Sequence, residues 1–425
     1  MANPLTFTIT KRDSSSRARL GRVLTPHGPF DTPAFMPVGT KASLKGLTVD
    51  HIYSTGSQII LNNAYHLMLR PGDDLIARVG GAEGVHRFMQ WGGPILTDSG
   101  GYQAFSMSDI NDLDDEGVTF RSIIDGAKVH LGPERSMQVQ NNLGADIIMA
   151  FDDCPPAVGN DELQVTNDEL DTESVAPAVT TRSSLVTRKK RLSPAEYRER
   201  LTCANTRTAR WLERCVRAHR RPDDQALFGI VQGGTDFDLR RQSVDQVCAI
   251  DLPGYAIGGV AVGEGTQAIH RVVEFTSPLL PESKPRYLMG VGYECDIVAA
   301  VKSGVDMFDC VLPTRNGRNG NAFTRTGRLH LRNAKFAEDE APIEPGCDCL
   351  TCAGTNGMAG GYSRAYLRHL FQSDEMLGPI LVSIHNVRHF QKLLLDIRRA
   401  IAEDGWSFFH RNWPVAGPAG SGRDG

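Results

Sequence analysis

Short apolar runs recur along the chain, each followed by a polar residue or a glycine and then by a longer stretch with helical spacing. The runs cover residues 33–38, 58–61, 94–96, 146–151, 226–231, 255–257, 287–289 and 305–308. They end on Gly39, Asn62, Asp98, Asp152, Gln232, Gly259, Gly290 and Asp309. Eight such units predict an α/β fold of the (β/α)8 TIM-barrel type, in which functional groups lie at the carboxyl ends of the strands.

An open, doubly wound sheet is the alternative fold, but no Gly-x-Gly-x-x-Gly sequence follows an early strand. Residues 5–24 are expected to form a hairpin that caps the floor of the barrel. Residues 159–192 interrupt the alternation with an acidic half and a basic half, which is typical of a flexible insertion. A helix is then expected from Ser193, with Pro194 first and Glu196 completing a capping box.

Charge is concentrated in one place, although the formal net charge of the chain is only −4. The window from Cys310 to Lys335 contains no acidic residue and holds Arg315, Arg318, Arg325, Arg328 and Arg332. Nucleic acid would therefore have to bind a local patch, because no global positive field attracts it. The single carboxylate at the edge of this patch, Asp309, suits nucleophilic attack on a sugar.

The cysteine pattern indicates a metal site. The chain has nine cysteines, an odd number, and three of them (Cys347, Cys349 and Cys352) lie within six residues. We therefore expect a reducing, cytoplasmic setting and a zinc site that needs a fourth ligand. His385, expected just before an amphipathic helix, is the best candidate, and His369 and His389 compete by proximity. We expect neither a signal peptide nor a membrane span, because no apolar run is long enough.

Several motifs occur in a fixed order. They are TDSGGYQ at 97–103, FDDC at 151–154, GIVQG at 229–233, GGVAVGE at 258–264, MGVG at 289–292, DMFDC at 306–310, PTR at 313–315, and Cys-x-Cys-x-x-Cys at 347–352 followed by IHN at 384–386. Together they resemble the tRNA-guanine transglycosylases, also called queuine tRNA-ribosyltransferases, over residues 5–155 and 193–410. The resemblance implies a catalytic barrel over 1–335 and a zinc-binding subdomain with a C-terminal helix over 336–413. The Gly- and Pro-rich composition of residues 414–425 predicts a disordered tail.

The resemblance also implies a reaction. The family exchanges guanine at wobble position 34 of tRNAs with G-U-N anticodons (those for Asp, Asn, His and Tyr) for a 7-deazaguanine base. Asp309 matches the family's nucleophile, which forms a covalent ribosyl intermediate, and Asp98 matches its general acid and base. The kinetics are then expected to be ping-pong. The family's histidine ligand matches His385, so one structural Zn²⁺ per subunit is expected.

Two further sets of residues follow from the matching positions. The family's base-binding residues match Asp98, Ser99, Gly100, Gly101, Tyr102, Asp152, Cys154, Gln232, Gly259 and Met289. Its contacts with the anticodon loop match Gly290, Val291, Gly292, Tyr293, Glu294, Cys295, Asp296, Thr314, Arg315, Asn316, Gly317 and Arg318. We take RNA contact and a solvated surface to be equally good interpretations of Arg325, Arg328 and Arg332.

Cys154 and Val262 resemble the bacterial branch, whose incoming base is 7-aminomethyl-7-deazaguanine (preQ1), in queuosine biosynthesis. The resemblance further implies a homodimer. The insertions at 159–192 and 353–361 depart from the family's usual length and affect the expected tRNA docking and dimer surfaces.

Two rival functions remain. One is a tRNA-binding protein without catalysis, which predicts loss of Asp98 or Asp309, and the other is a zinc hydrolase, which predicts clustered histidines at the strand ends. The sequence shows neither feature.

Overall fold

The computed structural model describes residues 4–106, 112–156, 192–354 and 360–417. The predicted insertion, apart from its last residue, lies outside these residues, and so do residues 418–425 of the predicted tail. Residues 414–417 are described, and they are packed: Ala416 is buried, and the Val415 N–H donates to the Arg325 carbonyl at 3.1 Å. Among the described helices, none is both long enough and apolar enough to cross a membrane.

The described residues form sixteen strands. In chain order these are β1 (Thr6–Arg12), β2 (Arg19–Thr25), β3 (Gly28–Thr32), β4 (Ala34–Gly39), β5 (Ile60–Asn62), β6 (Ile95–Thr97), β7 (Asp112–Leu113), β8 (Val118–Arg121), β9 (Lys128–Leu131), β10 (Ile147–Met149), β11 (Ala226–Val231), β12 (Gly254–Ile257), β13 (Arg286–Leu288), β14 (Met307–Cys310), β15 (Asn321–Thr324) and β16 (Gly327–His330).

The helices surround the barrel and form most of the C-terminal part. They are α1 (Val49–Ser54), α2 (Ala64–Leu69), α3 (Asp73–Gly80), α4 (Gly84–Met89), α5 (Gly101–Ser106), α6 (Pro133–Leu143), α7 (Pro194–Ala218), α8 (Phe237–Cys248), α9 (Thr266–Thr276), α10 (Glu294–Lys302), α11 (Leu312–Arg318), α12 (Leu350–Ala353), α13 (Arg364–Gln372), α14 (Leu377–Glu403) and α15 (Trp406–Asn412). The start of α7 confirms the predicted capping box, since Ser193 and Glu196 each bond the other's backbone N–H.

Eight parallel strands close into a barrel in the order β4, β5, β6, β10, β11, β12, β13, β14 and back to β4. Each of the eight predicted apolar runs overlaps one of these strands, so the predicted barrel is confirmed. Side chains alternate between the interior and the surrounding helices, as in any strand. Leu96, Tyr287 and Met307 belong to the interior core. The residues two positions further on, among them Asp98 and Asp309, therefore point into the mouth of the barrel.

A three-stranded antiparallel sheet, β1–β3, covers the opposite end of the barrel. The sequence predicts only a two-stranded hairpin over residues 5–24, and the third strand corrects that prediction. Val23 and Phe30 of this sheet pack in the same core as the barrel interior. Arg19 fixes the sheet to the start of β14 through a buried pair with Asp306, whose oxygens lie 2.9 and 2.6 Å from its guanidinium nitrogens.

Asp146, at the start of β10, joins the floor sheet to the barrel. Its carboxylate accepts the His27 backbone N–H at 3.0 Å, the His27 Nδ1–H at 2.9 Å and the Ile95 N–H at 2.8 Å. Burial opposes ionisation of Asp146, but contacts with the His27 and His86 side chains outweigh it and hold its pKa far below the usual range. The hydrogen bond between the His27 imidazole and Asp146 also raises the pKa of His27.

We expect Asp146→Asn to lower the free energy of unfolding by about 2–4 kcal/mol. The asparagine amide would present an N–H group to a neighbouring donor, where the Asp146 carboxylate presents an acceptor oxygen. The raised pKa of His27 adds stability that is complete below its unfolded value and is lost as pH rises above about 6.5. Urea unfolding at pH 5.5, 7 and 8.5 should show this loss in the wild type and a smaller loss in Asp146→Asn, where only Glu83 still raises the pKa of His27. Equal effects from Asp245→Asn, which changes an exposed carboxylate, would contradict this account.

The C-terminal part has its own small core, which begins with Ala322 in β15 and includes Cys349, Cys352 and Leu367. The long helix α14 connects this core to the barrel, where Gln391 donates to the Phe35 carbonyl at 3.0 Å. The prediction that His385 lies just before a helix is wrong. His385 lies instead in the third turn of α14, because that helix starts at Leu377.

Candidate active site and metal centre

Three carboxylates project into the mouth of the barrel: Asp98 after β6, Asp152 after β10, and Asp309 in β14. β6 and β10 are neighbours, whereas β14 is separated from β6 by β4 and β5. Asp309 therefore approaches from another wall of the barrel than the other two. Burial is the main reason that the pKa of Asp98 is raised to about 7, and the charges of Asp309 and Asp152 add to it. The three carboxylates thus share one electrostatic environment.

Asp309 is held by two donors. The Tyr287 O–H donates to its Oδ1 at 2.6 Å, and the Gly290 backbone N–H donates to the same oxygen at 2.8 Å. Burial raises the pKa of Asp309, and the two hydrogen bonds oppose that rise. Burial and the charge of Asp309 raise the pKa of Tyr287 far above its usual value, so Tyr287 keeps its proton as a donor. Both bonds end on Oδ1, which leaves Oδ2 as the oxygen for attack.

Asp98 is positioned by the segment that follows β5. The Asn63 side chain donates to Asp98 Oδ2 at 2.6 Å, and the Ala64 backbone N–H donates to Oδ1 at 2.7 Å. A carboxyl group with a pKa of about 7 can both give and take a proton near neutral pH. Asp98 is therefore suited to general acid and base catalysis, whereas Asp309 has the environment of a fixed nucleophile.

Asp152 and Gln232 form a buried pair in the pocket. The Gln232 amide donates to Asp152 Oδ2 at 2.6 Å, and the Ser99 hydroxyl lies 3.5 Å from Oδ1. Burial raises the pKa of Asp152 to about 7, against the hydrogen bond from Gln232. Gln232 Oε1 is buried and has no hydrogen-bond partner among the described residues. The Gln232 amide can therefore exchange its present contacts for hydrogen bonds with a ligand.

The structure places the other predicted base-binding residues around this pair. Gly100 has a positive φ of 76°, and a Cβ there would lie 3.2 Å from the Tyr65 backbone nitrogen, so the turn into α5 requires glycine. Tyr102 on α5 is 43% exposed. Met289 packs at the edge of the interior core. Burial raises the pKa of Cys154 to about 12, so its thiol stays neutral. Gly101 and Gly259 are buried beside them.

Some residues of the site were not predicted. Tyr287 was named only as part of a strand, although its spacing of two from Met289 already put it on the same face. Asn63 contacts Asp98, whereas the predicted strand-end residue Asn62 donates to Met89 Sδ at 3.2 Å. Glu264 accepts the backbone N–H groups of Ala261 and Val262 at 2.7 and 2.9 Å. No sequence signal distinguished Asn63 from ordinary polar residues, and Glu264 was noted only as the last residue of the GGVAVGE motif.

The predicted RNA-binding residues divide into an accessible group and a buried group. Gly290 is exposed, and the half-buried residues are Tyr293, Cys295, Arg315, Asn316 and Arg318. The other six are buried: Val291, Gly292, Glu294, Asp296, Thr314 and Gly317. The carboxylate of Glu294 lies 2.8 Å from His389 Nε2, and that of Asp296 lies 2.8 Å from His270 Nε2. Glu294 and Asp296 can therefore offer RNA little more than their backbone at the start of α10.

The distal arginines of the basic window have partners inside the protein. The guanidinium of Arg325 lies 4.9 Å from the Trp413 ring centre, and Arg332 donates to the Phe371 carbonyl at 3.0 Å. Arg328 lies 5.8 Å from the ring centre of Tyr293. Arg315 and Arg318 lie on α11, which follows Asp309 directly, and this position makes them the candidates for RNA contact in this window.

A second group of residues could hold a metal ion. The Sγ atoms of Cys347, Cys349 and Cys352 lie 3.7, 3.5 and 3.3 Å from His385 Nδ1. Ligands of a tetrahedral zinc ion with bonds of about 2.0–2.3 Å are separated by roughly 3.5 Å, so the donors fit that ion. His385 Nε2 lies 2.7 Å from the Phe323 carbonyl, so Nε2 carries the proton and Nδ1 faces the sulfurs. Of the competing histidines, His389 contacts Glu294 instead.

Comparison with known proteins agrees with this geometry. The sequence pattern of the family described as "Queuine tRNA-ribosyltransferase" matches residues 13–176 and 182–416. A queuine tRNA-ribosyltransferase of Streptococcus suis (strain 98HAH33) is 46% identical over 410 residues, which is 96% of each chain. That of Oceanobacillus iheyensis is 47% identical over 402 residues, 95% of this chain and 94% of the relative. That of Streptococcus pyogenes serotype M5 is 46% identical over 410 residues.

A barrel with this site and these relatives defines a transferase that acts on a pentose, a pentosyltransferase. The chain belongs to the queuine tRNA-ribosyltransferase family, the tRNA-guanine transglycosylases of queuosine synthesis. The resemblance noted in the sequence is thereby confirmed. The match also continues through most of the region expected to depart from the family, because only residues 177–181 separate its two stretches.

Proposed function

We propose that this enzyme replaces guanine at wobble position 34 of tRNAs with G-U-N anticodons (Asp, Asn, His, Tyr) by preQ1, through double displacement. The observation that carries this proposal is the pair of carboxylates in one barrel mouth. Asp309 is fixed by Tyr287 and Gly290, and Asp98 has a pKa of about 7. One carboxylate is suited to covalent attack and the other to proton transfer.

In the first displacement, Asp309 Oδ2 attacks C1′ of nucleotide 34 and forms a ribosyl ester. The bond from C1′ to the guanine nitrogen breaks, and neutral Asp98 donates a proton to the departing base. In the second displacement, Asp98 takes the ring N–H proton of the incoming base. The freed nitrogen attacks C1′, and the ester bond to Asp309 breaks. Each base exchange restores both carboxylates to their starting states.

Recognition of the base is assigned to the buried pair. Ionised Asp152 can accept from the N1–H and the 2-amino group of a guanine-like edge, while Gln232 has a second amide N–H for the carbonyl. The Gly259 backbone N–H is the other donor to that carbonyl. Tyr102 and Met289 offer faces above and below the ring, and Ser99, Gly100, Gly101 and Cys154 complete the pocket. Cys154 and Val262, which resemble the bacterial branch of the family, support preQ1 as the incoming base.

The accessible members of the predicted RNA-binding set support an anticodon loop as the polynucleotide partner. Arg315 and Arg318 lie on α11, directly after Asp309, where they can meet the phosphates that flank nucleotide 34. The base must leave its stack to reach Asp309, as enzymes acting on nucleobases require. A tRNA substrate and nine free cysteines, together with the absence of disulfides among the described residues, suit the cytoplasm.

We assign the metal site to one structural Zn²⁺ per subunit, held by Cys347, Cys349, Cys352 and His385. Four protein donors fill a tetrahedral sphere, which leaves no position for a substrate. The ion then ties α12 to α14 and so fixes α14 against the barrel.

We also propose that the protein is a homodimer that uses α13. Tyr362, just before α13, forms a row of rings with Tyr366 and His369 on α13, with centroids 5.8 and 6.3 Å apart, and Tyr366 is 40% exposed. Met376, at 81% exposed, and Leu377 extend the apolar surface to the start of α14. A second copy of the chain would bury this surface next to the proposed tRNA site.

Tyr366→Ala is expected to raise the dimer dissociation constant about tenfold or more, since interface aromatics commonly dominate binding. Size-exclusion chromatography with light scattering over a dilution series measures this constant. Phe408→Ala is the matched control, because Phe408 is an exposed aromatic residue (67%) on α15. A monomeric wild type, or an equal effect of both substitutions, would contradict the assignment.

The function is tested by incorporation of radiolabelled guanine into unmodified tRNA with a G-U-N anticodon. The account predicts stoichiometric label with that tRNA, none with an A-U-N variant, and complete loss of the label when preQ1 is added. Tight tRNA binding without any label would instead support the non-catalytic alternative.

A further inference from the structure

Arg240 is a fully buried arginine in the first turns of α8, next to the pocket. Burial lowers its pKa to about 10. A cation near a helix N-terminus also opposes the helix dipole. Among the described residues, no carboxylate lies within ion-pair distance of its guanidinium. Glu264 stabilises this cation only from beyond ion-pair distance, so burial of the guanidinium at such a cost calls for a specific role.

The hydrogen bonds of Arg240 within the described residues all go to main-chain carbonyls around the pocket. Nε donates to Gly234 at 2.7 Å, and Nη1 donates to Val231 at 3.2 Å. Nη1 also donates to the carbonyl of Gly258 at 2.7 Å, and Nη2 to that of Gly259 at 2.9 Å. The guanidinium therefore joins the turn after β11 to the turn after β12.

These contacts orient a particular peptide. The Gly258 carbonyl and the Gly259 N–H belong to the same planar trans peptide, so they point in opposite directions. Arg240 holds the carbonyl on its own side, and the N–H must then face away from Arg240. It lies on the side of Cys154, since a hydrogen bond from the Gly259 N–H partly opposes the burial that raises the pKa of that thiol. The Gly259 N–H therefore points into the base-binding pocket.

The local backbone cannot hold this orientation without help. Gly259 has a positive φ of 61°, and glycine moves readily among conformations. A Cβ at this position would lie 2.2 Å from Gln232 Oε1, so the turn passes directly beside the buried amide. An external clamp is therefore needed to keep the Gly259 donor fixed, and a positive charge on the carbonyl also strengthens the N–H at the other end of the peptide.

We propose that Arg240 is a positioning residue that aims the Gly259 N–H at the 6-carbonyl of the base and so sets the preference for 6-oxopurines. This inference rests on the proposed function, since it concerns the same pocket. It predicts that loss of the guanidinium weakens recognition of the carbonyl more than it weakens the rest of base binding.

The test compares guanine with 6-thioguanine as the incoming base in the tRNA exchange assay. The two bases share the N1–H and the 2-amino group, and sulfur is the weaker acceptor. Arg240→Lys and Arg240→Gln are expected to raise the KM for guanine about 10- to 100-fold and to shrink the guanine over 6-thioguanine preference in kcat/KM. Neither substitution leaves a carboxylate without an ion-pair partner. If the lysine variant does not fold, the neutral glutamine variant still provides the test.

Arg19→Lys is the matched control, because Arg19 is equally buried and also donates to main-chain carbonyls, at the opposite end of the barrel. It should lose stability without any change in KM or in base preference. If the Arg240 variants lose stability but keep the wild-type KM and preference, Arg240 is only structural and the inference is overturned. If the wild type exchanges neither base, the proposed function itself fails.

Discussion

Asp309→Asn is expected to reduce guanine exchange by at least about 10⁴-fold while leaving tRNA binding within a few-fold of the wild type. The amide cannot form the ribosyl ester, but it keeps the size of the carboxylate and can accept from Tyr287 and Gly290. Initial rates of label incorporation measure the first effect, and filter binding of unmodified tRNA measures the second.

Tyr287→Phe is the matched control for this prediction. It leaves the carboxylate in place and removes only the O–H that fixes Oδ1. We expect a loss of about 10- to 100-fold, because one hydrogen bond to a charged group is worth about 1.5–3 kcal/mol. An Asp309→Asn enzyme as active as Tyr287→Phe would exclude Asp309 as the nucleophile.

Loss of the metal is expected to have the second large effect. Structural zinc contributes on the order of 10 kcal/mol to folding in small domains, and here the four proposed ligands link α12 and α14 beside β15. Cys349→Ser should therefore abolish stoichiometric zinc and unfold the C-terminal core. Because α14 packs on the barrel beside α11, base exchange should fall with it. Elemental analysis gives the metal content, and urea unfolding with and without a chelator gives the stability.

Cys203→Ser, which changes an exposed cysteine on α7, is the control and should retain one zinc ion and wild-type stability. A Cys349→Ser protein that keeps one tightly bound zinc ion would contradict the ligand assignment. Fast, reversible loss of exchange on chelation, in a protein that stays folded, would instead indicate a catalytic ion.

Much of the fold could be predicted because strand-end chemistry and apolar runs are local signals. Asp309 follows Met307 by two residues, so a strand there must direct its carboxylate to the interior. The third floor strand has no such signal: Gly28, Pro29 and Asp31 are poor strand formers, and β3 exists through its pairing with β2. Likewise, Gly378 and Pro379 obscured the first turn of α14, although proline is tolerated at that position.

Site residues could be predicted from the sequence only where the residue type and its local spacing indicate a chemical role. Asp98 and the cysteines are recognisable by type and spacing. Arg240 is not, because its role comes from carbonyls contributed by two turns that only the closed barrel brings together. The pairing of Glu294 with His389 is similarly non-local, since it joins α10 to α14. Contacts of this kind depend on packing between distant segments, which no local pattern encodes.

Trapping the covalent intermediate tests the account most directly. The wild-type enzyme would be mixed with labelled G-U-N tRNA without an incoming base and resolved under denaturing conditions, and the adduct would be mapped by mass spectrometry. We expect an enzyme–tRNA adduct on the peptide that carries Asp309, absent in Asp309→Asn and released when guanine is added. An adduct on Asp98, or full exchange activity with no Asp309 adduct, would contradict it.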